Sequence, residues 1–577
     1  MTKKTIAWQI GNTTIRNPYR IKDGLIALKE SGLANVKAGA EWDKCFRDEL
    51  IRHGLLNASD HSDETYSAGR KWRSAFEKLG FIFPRPPKDK SSIGNFRSLS
   101  PQGIKLAKAS LSIEVEELFT RALSAPVFNC PDGKQTFSPL FWVISILNGL
   151  EEREAETHLT FSEFKNIVQT SSPDKYKVDF VVQKLIESRN NSAAENRIVD
   201  EFRGDSISAE TIRTLSDYAD MNLRYLKTTG LFVNYSHGIA PNPLKASIFK
   251  EFKKEKIFFK DDDWENKKEK IFFKDDDWEN KKDQCVGFPM FFDDALEARE
   301  VYLSQLKQAK AEGVEYDASF DLQIADAAQI KEEYNSLYLK CFEHRERKFA
   351  SQQAGQWQEI SRYMDILNLG KKVKRKSEDD EQLSIPTDMK PAYFEWVIWR
   401  SLLAIDSLKN SPDEVRKFNV DANYYPIFTA PGGTPDLVAM FEDYQLVVEV
   451  TLSENSRQEA MEGEPVRRHV ADACKLSKKP TFGLFIARKI HTNTAETFRH
   501  GLWYYDNDDL TELQIVPVCL SEFRDWFVWL FQNNVQDKAG QLRLFLEDCL
   551  RNKSQFTAPE WKTAVKEAIR RRILLRK

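Results

Sequence analysis

The chain is 577 residues long, 41% hydrophobic and 30% charged, with 38 Phe and 13 Trp available for packed cores. This length exceeds one ordinary domain and favours three or four. No apolar run approaches the roughly 18 residues of a membrane-spanning helix, and the N-terminus lacks a signal-peptide core. The seven cysteines form no CxxC pair, which argues against a disulfide framework or a zinc site. We therefore expect a cytoplasmic protein with no membrane association.

The net charge of −3 conceals an uneven distribution. Residues 1–130 contain 21 Lys and Arg against 14 Asp and Glu, a local surplus of seven positive charges. A basic end on a nearly neutral chain indicates one region that meets a polyanion. An ordinary solvated surface is the alternative, and charge alone does not decide between the two.

Two segments share the order helix, Gly, strand, turn, strand. In the first, a helix from Ser67 leads to Gly80, a strand begins at Phe81–Phe83, and Asn95–Leu99 provides the return strand. Ser100-Pro101 then opens another helix, with Ser as the cap and Pro at the first position.

The second such segment runs from a helix over residues 218–229 through Gly230 and Leu231–Val233 to Ile239–Pro241. This order is typical of winged helix-turn-helix modules, in which the helix before the hairpin enters the DNA major groove. In the first segment that helix carries Arg70, Lys71 and Arg73, which we predict to contact DNA. A plain α+β packing unit with solvated basic side chains is the alternative.

The middle of the chain is charged and mostly helical by pattern. Residues 253–266 recur unchanged at 267–280, which we interpret as a tolerated tandem duplication without chemistry. A basic run at 371–376 is followed by an acidic run at 377–381, as in a linker. We predict four parts: two winged-helix-type recognition subdomains at 1–130 and 131–290, a helical linker at 291–385, and an α/β domain with a mixed sheet at 386–577.

The strongest chemical signal lies in the C-terminal part. Pro435-Asp436 opens one apolar strand, Glu449-Val450 closes the next, and a polar turn at Glu442-Asp443 joins them. With the turn centred there, Asp436 lies opposite Glu449, where like charges repel. Two facing, part-buried carboxylates require a cation, and hard divalent ions such as Mg²⁺ bind carboxylate oxygen. The hairpin therefore predicts a metal site, although structural ion pairs also cluster in this way.

Other groups could converge on this hairpin. Glu395 lies on an upstream helix, Glu462 and His469 lie downstream, and any of them could orient a nucleophile or protonate a leaving group. Arg467 and Arg468 could anchor phosphates, because guanidinium donors suit paired oxygens. Each residue also has an ordinary structural interpretation: Glu395 as a surface residue of its helix, and His469 as a core histidine.

These residues carry a family resemblance. Pro435-Asp436 with Glu449-Val450-Thr451 resembles the PD-(D/E)XK nuclease motif, with Thr451 in place of the usual Lys. Together with Phe394-Glu395-Trp396 and the stretch 461–469, the pattern resembles the AlwI-like type IIS restriction and nicking endonucleases over nearly the full chain. The 253–280 duplication is not part of that pattern.

The resemblance implies a mainly α, multidomain protein with an N-terminal recognition half, a helical linker and a C-terminal PD-(D/E)XK-like α/β cleavage domain. It implies that Asp436, Glu449 and the Val450 carbonyl bind Mg²⁺, and that Glu395, Glu462 and His469 complete the active site. It further implies double-stranded DNA as partner, a cognate DNA methyltransferase in the same system, and a bacterial cytoplasm.

One carboxylate cluster cuts one strand, so cutting both strands requires a transient homodimer or a smaller cleavage subunit. Without either, the enzyme is a strand-specific nickase. A protein of another class, a winged-helix DNA-binding regulator with an inactive nuclease domain, stays open. A nuclease acting on RNA or branched DNA is disfavoured by the paired winged-helix signals, because such modules dock in B-form major grooves.

Overall fold

A computed structural model describes residues 7–33, 39–56, 65–130, 136–203, 208–235, 237–253, 277–318, 320–369, 383, 385–551 and 553–574. Most of the 253–280 duplication and all of the 371–381 charge boundary lie outside these residues. The chain forms two compact units, Met1–Leu339 and Lys340–Lys577. No helix in the described ranges combines the length and apolar character needed to cross a bilayer. The four-part division stays a prediction.

The first unit is mostly helical. Its helices are α1 (Arg20–Glu30), α2 (Ala40–Arg52), α3 (Ser67–Lys78), α4 (Pro101–Lys108), α5 (Ser112–Ser124), α6 (Pro139–Glu151), α7 (Phe161–Glu163), α8 (Val178–Asn190), α9 (Ser192–Arg203), α10 (Ala209–Lys227), α11 (Ala246–Lys253), α12 (Asp277–Val286) and α13 (Ala295–Ala311). Its paired strands are β1 (Phe128–Asn129) with β2 (Thr136–Phe137), and β3 (Phe232–Tyr235) with β4 (Gly238–Pro241). Helix α14 (Ala327–Gln352) contains the boundary between the units.

The first predicted helix–hairpin segment is present. Helix α3 ends before Gly80, whose φ of 72° is the left-handed conformation that glycine adopts without strain. Ile82 then pairs antiparallel with Leu99, and Ser100 caps α4 through a hydrogen bond from the Gly103 N–H to its hydroxyl. Local sequence signals therefore set the order of elements here, although the winged-helix assignment itself remains a prediction.

The second segment also has the predicted order. Helix α10 leads to Gly230, at φ 65°, and then to the antiparallel hairpin of β3 and β4. Ile239 of β4 additionally pairs with Leu159, which adds a short third strand segment. Asn222 of α10 is fully buried and hydrogen-bonds to the Trp8 carbonyl and the Ile10 N–H, so the helix is fixed within the core of this unit.

The second unit surrounds a four-stranded sheet. Its strands are β5 (Leu437–Met440), β6 (Gln445–Thr451), β7 (Thr481–Ala487) and β10 (Gln514–Cys519), and a separate hairpin joins β8 (Leu502–Tyr504) to β9 (Leu510–Glu512). The helices that follow α14 are α15 (Trp357–Asn368), α16 (Lys390–Ile405), α17 (Pro412–Val415), α18 (Arg457–Leu476), α19 (Thr492–His500), α20 (Leu520–Gln532), α21 (Lys538–Leu550) and α22 (Ala558–Leu574).

The sheet has the order β10-β7-β6-β5 and is mixed, as predicted. Strands β10, β7 and β6 are parallel, and β5 is antiparallel to β6. Every residue of β7 is buried, as expected for a central parallel strand covered on both faces. Helix α16 packs against β5 and β6, and α18 packs against β6 and β7. This arrangement brings α16, which carries Glu395, and α18, which carries Glu462 and His469, to the β5–β6 hairpin.

Candidate active site

The β5–β6 hairpin has the predicted register. Leu437 pairs with Val448 and Met440 with Gln445, so Asp436, one residue before β5, lies opposite Glu449. The Val450 N–H donates a hydrogen bond to Asp436 Oδ2 at 2.8 Å, and the Asp436 N–H donates to the Glu449 carboxylate. Each of the two carboxylates therefore accepts a hydrogen bond from a backbone N–H on the opposite side of the hairpin.

Glu395 brings a third carboxylate to this point. It lies on α16, is 5% exposed, and accepts a hydrogen bond of 2.7 Å from the Ala430 N–H. Ala430 precedes the exposed Gly432-Gly433 turn that leads to Asp436. Glu395 therefore faces the hairpin and also fixes the loop that enters it. The ordinary interpretation of Glu395 as a surface helix residue is wrong.

Glu462 and His469 reach the site from the same face of α18. They are seven residues apart, close to two helical turns of about 3.6 residues each. The Thr451 hydroxyl hydrogen-bonds to the Glu462 carboxylate, and His469 Nδ1 lies 2.5 Å from Glu449 Oε1. His469 Nε2 is buried and has no hydrogen-bond partner among the described residues.

Burial and mutual repulsion dominate the electrostatics. Burial, with repulsion from Glu449, raises the pKa of Glu395 to about 8 despite the Ala430 hydrogen bond. Burial raises the pKa of Asp436 well above its usual range, and Glu395 and Glu449 add to this increase. Burial also raises the pKa of Glu449, although its bond to His469 opposes the shift. The cluster therefore carries negative charge only at a cost in free energy.

The pKa of Glu462 is raised in the same way. Burial raises its pKa, the Thr451 hydroxyl opposes the shift, and Glu449 contributes further repulsion. The ion pairs of the described residues include no Lys or Arg bound to Asp436, Glu395 or Glu462. Within those same ranges, no group of three or more His, Cys, Asp or Glu side chains is placed to hold a metal ion. Asp436 and Glu449 are thus the paired oxygen donors that face each other.

The two predicted phosphate-binding arginines of α18 have partners within the protein. Arg467 Nε donates to the Gly463 carbonyl at 3.0 Å, and its guanidinium lies 5.8 Å from the centre of the Trp503 ring. Arg468 pairs with Glu464 at 3.1 Å, one helical turn earlier, and remains part-exposed. Neither residue contacts the carboxylate cluster directly, although the charge of Arg468 weakly lowers the pKa of Glu449.

The three predicted DNA-contacting residues of α3 differ from one another. Arg70 and Lys71 are exposed. Arg73 is largely enclosed and forms ion pairs with Asp43 at 2.9 Å and Glu77 at 3.0 Å. Its contacts assign it to joining α3 to α2, which leaves Arg70 and Lys71 as the outward-facing members of this group.

Sequence reasoning missed two features of the site. It did not link Thr451 to Glu462, although Thr at the position of the motif Lys was a signal that another side chain would interact there. It also did not link Glu395 to the loop at Ala430, and no sequence pattern identified that contact.

Comparisons with known proteins identify the family of the chain. The model of the AlwI restriction endonuclease family matches residues 77–525. No curated protein matches the chain. Among solved structures, the small subunit of the heterodimeric restriction endonuclease R.BspD6I shares 22% identity at a TM-score of 0.29, covering 36% of this chain and 98% of that one.

The BpuJ1 endonuclease binding domain, solved with pyrene- and phenanthrene-modified DNA, shares 14% identity at a TM-score of 0.29, covering 44% of this chain and 90% of that one. Both scores are low, so the assignment depends on the family model, which spans more than half of the sequence. The chain belongs to the AlwI restriction endonuclease family.

Proposed function

We propose that this restriction enzyme is a Mg²⁺-dependent type IIS endonuclease. It would bind a short asymmetric sequence in duplex DNA and hydrolyse a phosphodiester bond at a fixed offset outside that sequence. The observation that supports the proposal most strongly is the convergence of Asp436, Glu449 and Glu395 at one end of the β5–β6 hairpin. Carboxylates in a protein core usually have cationic partners, and within the described ranges Glu449 pairs with His469 whereas Asp436 and Glu395 have no Lys or Arg partner.

The donor set fits Mg²⁺. Asp436, Glu449 and the Val450 carbonyl offer oxygen ligands only, and Mg²⁺ is commonly held by one or two carboxylates while it keeps several waters. A two-carboxylate site without a complete protein cage is therefore what this ion requires. When bound, Mg²⁺ would lower the pKa of a water and neutralise charge on the reacting phosphate.

The remaining side chains have separate tasks in this proposal. His469 donates its Nδ1–H to the ionised Glu449 and fixes the direction of that carboxylate. Glu462, hydrogen-bonded to Thr451, occupies the position beside the motif Lys site and would orient the attacking water or accept its proton. Glu395 would hold the Ala430 loop in place and, ionised when the metal is bound, would add its charge to the site.

DNA contacts would come from both units. The exposed Arg70 and Lys71 would read or position the duplex from α3, if the first helix–hairpin segment acts as a winged helix. Arg467 and Arg468, which lie within seven residues of Glu462 on the same helix, would bind phosphates near the scissile bond. Arg73 has a smaller part in this proposal because its guanidinium is already paired.

A strand-specific nickase is the second candidate. Asp436 and Glu449, which face each other across the β5–β6 hairpin, would form one catalytic centre, and one centre would cut one strand. Cutting the second strand would require a transient homodimer or a smaller cleavage subunit. In a restriction system, a cognate DNA methyltransferase would protect the host sequence.

The direct test is the conversion of supercoiled plasmid by the full chain with and without Mg²⁺. We expect nicked or linear product with Mg²⁺, and none from Asp436→Asn. A matched control is Asp443→Asn, which removes an exposed carboxylate at the turn of the same hairpin and should leave the rate unchanged. Absence of cleavage by the wild type with any divalent metal would instead support the non-catalytic DNA-binding alternative.

A further inference from the structure

Arg97 occupies an unusual backbone position in the first unit. It lies in the loop segment that returns to pair with Ile82, and its φ of 66° is in the left-handed region. Its N–H donates to the Phe83 carbonyl at 3.0 Å, which fixes the residue at the base of the hairpin. A side chain other than Gly is strained at such an angle, and strained residues cluster where proteins bind ligands.

The side chain is enclosed without being paired. Arg97 is 8% exposed, and its guanidinium carbon lies 4.9 Å from the Trp42 ring centre and 5.0 Å from that of Phe96. Its Nε and Nη1 are buried and have no hydrogen-bond partner among the described residues. Stacking on aromatic rings holds the plane of a guanidinium but satisfies none of its in-plane donors.

Two other enclosed arginines among the described residues have the ionic or hydrogen-bond partners that Arg97 lacks. Arg121 forms ion pairs with Glu117 and Asp293, and Arg400 donates to Gln353, Gln356 and Glu359. An arginine retained only for packing is expected to have such partners, because unpaired buried donors cost free energy. Arg97 Nη2 is not one of those enclosed atoms, so an acceptor from outside the described protein can reach the guanidinium there.

The charges around Arg97 favour an anion. The nearby carboxylates of Asp43 and Glu77 are already bound by Arg73. Burial lowers the pKa of Arg97, the charges of Arg73 and Arg85 lower it further, and those of Asp43 and Glu77 oppose the shift. Arg85 is exposed on the same hairpin loop, so it could reach the same ligand.

We propose that Arg97, assisted by Arg85, binds a backbone phosphate of duplex DNA at the base of the first hairpin. This inference rests on the proposed function, because it takes the anion to be a DNA phosphodiester. The contact would be independent of base sequence and would position the exposed Arg70 and Lys71 of α3, the neighbouring element, against the duplex. The proposed contact adds a phosphate-binding residue to the recognition half. No motif in the sequence indicated this contact.

The test is duplex binding by the full chain, without divalent metal, over a series of NaCl concentrations. Arg97→Met keeps the length and apolar packing of the side chain and removes the charge. We expect it to weaken binding roughly tenfold for any sequence, because a charged hydrogen bond is lost. The slope of log K against log salt should also fall by about one, as for the loss of one phosphate contact. Arg97→Lys should retain the slope with intermediate affinity, and Arg97→Gln, which also lacks the charge, replaces Arg97→Met if that variant does not fold.

Arg121→Met is the matched control, because it removes another enclosed arginine of the same unit. It should lower Tm and leave the salt slope unchanged. A second probe, stabilisation by inorganic phosphate, tests the anion site without DNA: Tm should rise with phosphate in the wild type and less in Arg97→Met. An unchanged salt slope in Arg97→Met would overturn the proposal, even if Tm falls. This binding measurement is independent of cleavage, so its failure is distinguishable from failure of the proposed nuclease activity.

Discussion

Glu449 Oε1 and His469 Nδ1 lie 2.5 Å apart, between strand β6 and helix α18. Both side chains are buried, so the contact is shielded from water and fixes the carboxylate in one orientation. Of the two ring nitrogens, Nδ1 forms this contact, and Nε2 has no hydrogen-bond partner in the described ranges. In our account, His469 orients a metal-binding carboxylate and does not contact the reacting phosphate itself.

This role predicts a moderate loss of activity when the imidazole is removed. His469→Ala should reduce cleavage about 10- to 100-fold and raise the Mg²⁺ concentration needed for half-maximal rate, as is usual for residues that support a metal ligand. His469→Asn, which can still donate to Glu449, should recover part of the loss. His500→Ala is the control, since His500 also pairs with a glutamate but is exposed. A rate of zero at saturating Mg²⁺ would instead indicate direct participation in catalysis.

The raised pKa of Glu395 predicts how stability depends on pH. The folded protein holds a proton on Glu395 up to about pH 8, whereas the unfolded chain releases it near 4.5. The associated stability is therefore present at low pH and is lost as pH rises from about 5 to 8. Without metal, Tm should fall over this interval, and Mg²⁺ should raise Tm more at pH 8.5 than at pH 6.

Glu395→Gln checks the origin of that pH dependence. The amide carbonyl still accepts from the Ala430 N–H but does not titrate, so Tm should fall less between pH 6 and pH 8.5. Glu414→Gln removes an exposed carboxylate of the same unit and should leave the wild-type profile unchanged. An identical fall in the wild type and Glu395→Gln would show that other groups cause it.

The contact between Thr451 and Glu462 predicts an effect on the chemical step. Thr451→Val removes the hydroxyl while keeping the shape, so Glu462 loses the hydrogen bond that lowers its pKa. If Glu462 accepts the proton of the attacking water, we expect kcat to fall about 10- to 100-fold. The acidic limb of the pH–rate profile should also move to higher pH, because the pKa of Glu462 rises when the hydrogen bond is lost. Thr451→Ser should behave like the wild type. Single-turnover rates across pH 6–9 provide the measurement.

The close approach of α2 and α3 at Gly69 predicts a loss of stability when a side chain is added there. A Cβ at this position would lie 2.1 Å from the Asp43 carbonyl oxygen, so α2 and α3 would have to separate. Gly69→Ala should lower the free energy of unfolding of this unit by about 1–3 kcal/mol, a usual cost of overpacking. Urea denaturation measures this change. Gly355→Ala is the control, because a Cβ there would meet nothing within 4 Å.

Much of the fold could be predicted where local chemistry determines it. Gly80 and Gly230 both adopt the positive φ that ends a helix, and each helix is followed by antiparallel pairing as expected. The register of Asp436 and Glu449 followed from the turn position alone, because cross-strand pairing is fixed once the turn is placed. The sequence likewise predicts three closing helices at roughly 521–534, 541–551 and 559–574, and α20 to α22 lie within a few residues of these ranges.

Contacts between segments that are far apart in the sequence could not be predicted in this way. Glu395 and Ala430 are 35 residues apart, and their hydrogen bond depends on how α16 packs against the sheet. Arg73 looked like a DNA contact because it stood in a basic helix, yet Asp43 on α2 holds it. The burial of Arg97 depends on the left-handed turn that carries it against Trp42, a feature that residue type does not indicate. Local periodicity predicts helices and strands. Which charged side chains are already paired depends on how those helices and strands pack.

The central claim is that the Asp436–Glu449 centre cuts DNA at a fixed distance from a recognition sequence. The most direct measurement is sequencing of the ends produced on both strands of a plasmid library with Mg²⁺. Our account predicts discrete ends at a constant offset from one short asymmetric sequence, on one strand for a nickase or on both with a second cleavage centre, and none from Asp436→Asn. Ends scattered without a common sequence, or ends that persist in Asp436→Asn, would contradict it.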